Sequence, residues 1–295
     1  MATLRKVERI YKDAHPNMVG DGFRVYNAFP NGNRIGLRRL SPFFLLDYGA
    51  PHYFPPTNVP RGVDEHPHRG FETVTLAFQG AVQHRDSSGS RGVIGEGDVQ
   101  WMTAASGVVH EEKHEQQWAA KGGIMEMVQL WVNLPAAHKM DTPRYQTLTK
   151  EQIPVQALDD KGSCLRVITG SYQDLKGPAK TFTPLTLLDV RLKAGQELSL
   201  SFPEQENTAL YLRAGSHLRI HGREEAEEMN LVIFEHKGTE ITVQAVNDAN
   251  FLVLSGEPIE EPVVAYGPFV MNSKEEISQA IQDYNAGKMG HLPVQ

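Results

Sequence analysis

The hydrophobic pattern along this chain repeats every two residues far more often than every 3.6. In "FETVTLAFQ", Val74, Leu76 and Phe78 alternate with Thr73, Thr75 and Ala77, which predicts a half-buried strand. "GEGD", at Gly95 to Asp98, predicts a tight turn, and "VQWMT" after it another short strand. In "GGIMEMVQLWVNLP", Met125, Met127, Gln129 and Trp131 share one face, and Glu126, Val128, Leu130 and Val132 the other. Both faces are largely apolar, so this strand is expected to be central and covered on both sides.

The texture changes in "NLPAAHKMDTPRYQTLTKEQIP", a polar, proline-containing stretch that predicts a connection between two domains, 1–140 and 141–295. Beyond it the two-residue period returns. Leu188, Val190 and Leu192 alternate with Asp189, Arg191 and Lys193, and Leu198, Leu200 and Phe202 follow "AGQ". "ALYLRAGSHLRIHG" predicts a hairpin, and "NLVIFEHKGTEITVQA" and "ANFLVLSGE" further strands. Short strands with glycine-rich turns in both halves predict an all-β molecule of two stacked barrels. One helix stands out, in "NSKEEISQAIQDYNAGK". Ser273 and Glu276 are spaced as a capping box, Ile277, Ile281 and Tyr284 form an apolar stripe, and Gly287 is placed to end it.

Composition narrows the function classes. The chain has 295 residues, 40% hydrophobic and 22% charged, with a formal net charge of -7. That charge disfavours direct nucleic-acid binding, and the densest basic stretch, "RIGLRR" with Arg34, Arg38 and Arg39, is too short to alter this. No apolar run approaches the roughly 20 residues that span a bilayer. The opening "MATLRKVERIYKDAHP" lacks the apolar segment of a secretory signal. Cys164 is the single cysteine, which excludes an intrachain disulfide and a cysteine-rich zinc site. A cytoplasmic location is expected.

The chemistry concentrates in two short stretches. In "DEHPHRGFETVT", His66 and His68 are i and i+2, so they project together from an extended segment. Pro67 between them favours that conformation. Their parity matches Val74, Leu76 and Phe78, so an unbroken strand aims both imidazoles with the apolar side into the barrel, unless Gly70 marks a bulge that resets it. In "SGVVHEEKHEQQ", His110 and Glu112 form a second i, i+2 pair. Three imidazoles and one carboxylate suit a divalent metal such as iron, manganese, nickel, copper or zinc. The alternative is that the first pair merely decorates a turn. His114 shares the parity of His110, but its charged surroundings predict a solvated loop. His84 borders a polar loop, as a pocket entrance or a turn residue. His217 and His221 are expected to face solvent, and His236 stands alone beside a turn, so one metal site is expected, in the first half. Cys164 is expected to be structural. No G-x-S-x-G elbow, P-loop or dinucleotide fingerprint is present.

Four separated stretches, "HPHRGFETVT", "GDVQWMTAASGVVHEE", "VQLWVNLPAAHKMDTPRYQ" and "AYGPFVMNSKEEI", resemble the pirin family of bicupins over most of the chain. The resemblance implies two cupin (jelly-roll) barrels with a short C-terminal helix and one metal in the first barrel. It places the ligands at His66, His68, His110 and Glu112. Glu72 stands where many cupins carry a metal-binding glutamate, but the resemblance draws the carboxylate from the second stretch and leaves Glu72 a supporting role. Two function classes follow from it. One is a quercetinase-type dioxygenase that opens flavonol-like enol or aromatic substrates with O2. Its metal would be iron(II) first, with manganese, nickel, copper, cobalt or zinc as substitutes, and Glu112 could serve as general base. Phe43, Phe44, Phe54 and Trp101 are candidates for its pocket wall. The other class is a metal-dependent, redox-responsive regulator that binds a protein partner without turnover. A monomer is expected in either case.

Overall fold

A computed structural model describes residues 3–12, 15–30 and 34–292. The chain is built almost wholly of antiparallel strands and forms two cupin domains, each a seven-stranded sheet facing a four-stranded one. Its two compact units are interleaved in sequence. One comprises 1–14, 30–42 and 151–258, and the other 15–29, 43–150 and 259–295. The single boundary between 140 and 141 expected from the polar stretch is therefore replaced by exchanged segments at both ends. Pairing explains the exchange. The strand Val7–Lys12 adds to Asn230–Phe234 at the edge of one seven-stranded sheet, and Phe269 bridges Arg69 in the other unit.

In the unit that contains 151–258, Leu165, Val190, Leu210, Phe234, Phe251 and Val253 are among the buried residues of one apolar core. Alternation along Leu185–Leu192 and Glu197–Ser201 supplies that core from facing strands. Polar side chains are satisfied at the margins. Asp189, for example, pairs with both Arg166 and Arg213.

In the unit that contains 43–150, the seven-stranded sheet runs in the order Arg144–Leu148, Val99–Thr103, Phe71–Gln79, Gly123–Asn133, Phe43–Phe54, Phe23–Phe29, Asn17–Val19. The four-stranded sheet runs Gly62–His68, Val108–His114, Val82–Asp86, Arg91–Ile94. Gly123–Asn133 is central and covered on most of both faces, as its pattern predicts. Phe71–Gln79, expected to be half-buried, is instead buried on both faces except at Gln79, because its threonines point into the same unit's interior. Phe23, Val25, Phe54, Val82, Met125 and Met127 pack together at one end of that interior.

Two helices join this unit. Helix α1 (Gln116–Lys121) was not foreseen; Glu115 caps it by accepting from the backbone of Gln117 and Trp118. Helix α2 (Lys274–Asn285) has the predicted capping box, Ser273 with Glu276. Its stripe of Ile277, Ile281 and Tyr284 packs on Val109, Phe269 and Met271. Arg69 of the neighbouring turn donates to Asp283 of α2 at 2.8 Å, with little solvent access to either side chain. No described helix is long and apolar enough to cross a membrane.

Candidate metal centre

The four-stranded sheet presents alternate side chains inward. Val108–His114 is flanked by Gly62–His68 on one side and Val82–Asp86 on the other. In register, His110 lies opposite His66 and Asp86, and Glu112 opposite Val63 and His84. Cross-strand neighbours of this kind have Cβ atoms about 5 Å apart. His66, His68 and His110 thereby come together, each offering one ligand atom, with all three atoms within 4.8 Å of one another. Their ring centroids are separated by 4.3 to 4.9 Å.

The route by which the two first histidines reach this position differs from an unbroken strand. The chain turns at Arg69 and Gly70, where Gly70 has φ +90° and a Cβ would lie 2.1 Å from the Val270 carbonyl oxygen. Only glycine fits there. The turn resets parity: Phe71 and Thr75, not Val74 and Leu76, share the interior with the imidazoles. Phe71 packs edge-on to His68 at 5.1 Å. The turn is pinned by Lys139, whose buried ammonium donates to the carbonyls of Gly70 and Val270 and to Asn133 Oδ1.

Hydrogen bonding prepares the rings for a cation. His66 Nδ1 faces the Asp64 carbonyl at 2.7 Å, and a carbonyl can only accept. The ring proton therefore sits on Nδ1 and leaves Nε2 a bare lone pair. That Nε2 lies 2.9 Å from Nε2 of His110. His110 keeps a buried Nδ1 without a hydrogen-bond partner among the described residues, while the His68 ring faces the Pro268 carbonyl. Burial holds all three imidazoles below the usual histidine range, and for His68 and His110 the neighbouring imidazoles add to it. Neutral rings are the form that ligates. Three converging neutral nitrogens are a donor set for a borderline divalent metal, and these residues fit one. His66 is half-buried while His68 and His110 are buried, so solvent reaches the cluster from the His66 side.

Glu112 points into the same interior but does not belong to the three-imidazole cluster. Its carboxylate accepts from Gln129 Nε2 at 3.2 Å and touches Thr75 Oγ1 at 3.3 Å. Burial pushes its carboxyl up to about 7, and hydrogen bonding to the carboxylate works against that rise. Glu72 is elsewhere. It lies on the opposite face of its strand, 1% exposed, accepting from Thr103 Oγ1 at 2.6 Å. Trp101 lies cross-strand from Val74 on that opposite face, and Phe43 is buried but makes no ring contact with the imidazoles. Phe44 stacks over Trp131, whose ring is 5.3 Å from His68. Phe54 packs instead on His114 at 4.6 Å.

His114 is not in a solvated loop. It is 1% exposed, ringed by Phe23, Phe54 and Trp118, with Nε2 against the Gly22 carbonyl. The charged residues beside it point outward on alternate positions, or cap α1. His84 is buried and stacks flat on Tyr145 at 5.3 Å, and burial pulls it down to about 4. Among residues around the centre, Thr75 and Gln129, which contact Glu112, were missed. Gln129 carried a usable signal: an amide on the face it shares with Met125, Met127 and Trp131 of a strand covered on both sides must find a buried partner.

Comparison with known proteins agrees with this architecture. Residues 22–132 match the family described as "Pirin", and residues 187–290 the "Pirin C-terminal cupin domain". A Pseudomonas aeruginosa protein named "Putative quercetin 2,3-dioxygenase PA2418" is 50% identical over 97% of this chain and 98% of its own. A "Pirin-like protein" of Solanum lycopersicum is 39% identical over 92% of this chain and 88% of its own. The crystal structure of a quercetin 2,3-dioxygenase from Acinetobacter baumannii superposes with a TM-score of 0.95 at 49% identity, covering 99% of this chain and 100% of that one. The Escherichia coli pirin YhhW, solved in complex with nickel(II), shares the fold at 18% identity, with a TM-score of 0.64 over 85% of this chain and 100% of its own.

Proposed function

The chain belongs to the pirin family, and on that premise we propose that it is a metal-dependent dioxygenase of the quercetinase type. The supporting observation is the cluster of three ring nitrogens within 4.8 Å, set beside a carboxyl held by polar partners. His66, His68 and His110 would hold the metal, iron(II) first among the candidates, with Glu112 as the fourth ligand. When bound, the metal supplies Lewis acidity and a template on which substrate oxygens and O2 meet.

The chain's own residues do the rest. The Asp64 carbonyl fixes the His66 tautomer. Phe71 and Trp131, 4.3 Å apart, both pack edge-on against the His68 ring and hold it in place. Glu112 is presented to the same interior by Gln129, which donates to its carboxylate. It takes the hydroxyl proton of a flavonol-like enol and holds it while the ring opens. His66, the half-buried member of the cluster, marks the side from which a substrate would approach.

The relatives' names support the substrate class, a flavonol or a related enol. The test is direct. Protein loaded anaerobically with iron, manganese, nickel, copper or cobalt is mixed with quercetin and O2, and flavonol loss and carbon monoxide are measured. Turnover that disappears in Glu112→Gln is the expected result. No turnover with any of these metals would overturn the enzyme assignment for this substrate. It would leave the metal-dependent binding protein, acting on a protein partner, as the better account of the same site.

A further inference from the structure

Thr75 and Gln129 are direct cross-strand partners in the seven-stranded sheet, so their side chains stand side by side facing the interior. Thr75 Oγ1 lies 2.6 Å from Gln129 Oε1 and 3.3 Å from Glu112 Oε1. A hydroxyl has a single proton, and the shorter contact takes it, so Thr75 donates to Gln129. This decides which end of the amide faces the carboxylate. Nε2, which can only donate, points at Glu112 Oε2 at 3.2 Å. Flipped, the amide would set its own carbonyl oxygen against the carboxylate, and two acceptors would face each other across a buried gap.

We propose that Gln129, its amide oriented by Thr75, is a positioning residue that holds Glu112 by one carboxylate oxygen and leaves the other, Oε1, to act. This rests on the metal-centre assignment above. Gln129 touches neither the imidazoles nor, on this account, the reacting atoms; it works through Glu112. Holding Oε2 fixes the plane of the carboxylate before metal or substrate arrives, so no rotation has to be arrested afterwards. Thr75 works one step further out. A valine there keeps the shape of the threonine but lets the amide turn over.

The test uses nickel(II) affinity, by competition with a chromophoric chelator, and the visible spectrum of the cobalt(II)-loaded full chain. Gln129→Leu and Thr75→Val should each weaken nickel binding about tenfold, the scale of an outer partner of a metal ligand. Both should alter the cobalt spectrum, and Thr75→Ser should restore both readouts. In a Glu112→Gln background the further effect of Gln129→Leu should fall below about twofold, because the group it positions is gone. Nickel affinity within about twofold of the parent and an unchanged spectrum in both single variants would overturn the proposal. So would an equal loss in the Glu112→Gln background, the mark of a merely structural residue. If Gln129→Leu fails to fold, the Thr75 pair carries the test. His110→Ala separates the two levels. If it keeps nickel, the metal centre itself is wrong; if it loses nickel while the Thr75 and Gln129 variants do not, only the positioning role falls.

Discussion

Two buried carboxyls, Glu72 and Glu112, stand on different strands of the same unit and meet different fates. Glu112 shares its interior with three imidazoles, while Glu72 faces the other way against Thr103. Burial raises Glu72 to about 7 from its ordinary 4.5. Below pH 4.5 the folded and unfolded chains both carry the proton. As pH rises, the unfolded chain releases it first, so stability falls until about pH 7 and then stays level. Glu72→Gln, which cannot ionise, should therefore match the parent near pH 4.5 and exceed it by about 3 kcal/mol above pH 7. Urea unfolding at the two pH values checks this, and an equal difference at both would show that Glu72 is not held neutral. At the proposed ligands, His66→Ala should remove tightly bound metal while leaving the far-ultraviolet circular dichroism of the β fold intact. Retained metal would refute its role. That His66, His68 and His110 come together, with Glu112 facing the same interior, could be read in the sequence because spacing of i, i+2 is itself the signal. Which carboxylate oxygen is held, and by what, was not readable, since it depends on an amide's orientation across two strands distant in sequence.

At the scale of elements, the turn between His68 and Phe71 matters most. Alternation alone puts His66 and His68 on the side of Val74 and Leu76, and one left-handed residue overturns that parity. Gly70→Ala adds a Cβ 2.1 Å from the Val270 carbonyl oxygen at a φ of +90°. It should cost about 2–3 kcal/mol and lower metal affinity, because the strand carrying both histidines must shift. Unchanged metal affinity in a destabilised Gly70→Ala protein would show that the turn is structural only. Helix α2 offers the contrast. Its cap and stripe were readable in full, since both are local in sequence. Ser273→Ala should reduce stability by about 1 kcal/mol and leave metal content unchanged. Helix α1 escaped notice because it is six residues long and its cap is a glutamate in a charged run. The same run made His114 look solvated, when alternation sends that ring inward and its charged neighbours outward.

Each unit of the molecule pairs a seven-stranded with a four-stranded sheet, yet the interiors are filled differently. The all-β character and the two-barrel plan follow from a period of two in both halves of the sequence. The interleaving of 1–14 and 259–295 does not, because edge-strand pairing between distant segments leaves no local pattern. Inside, the unit of 151–258 closes on aliphatic and aromatic residues, with Leu198, Leu200, Leu218 and Ile220 where the other four-stranded sheet carries histidines. Its own histidines serve other ends: His217 pairs with Glu225 and His221 faces the Arg5 carbonyl. Among the described residues, three clustered ligand atoms occur only at His66, His68 and His110. Equilibrium dialysis with nickel(II) should therefore give one tightly held ion per chain in the parent. The ratio should fall near zero in His110→Ala and stay near one when His217 and His221 are both replaced by alanine. A second ion of similar affinity, or a loss in the His217 and His221 variant, would mean that the other barrel also binds metal. Its apolar interior makes that outcome physically costly, since a divalent ion there would have to shed its water for groups that cannot coordinate it.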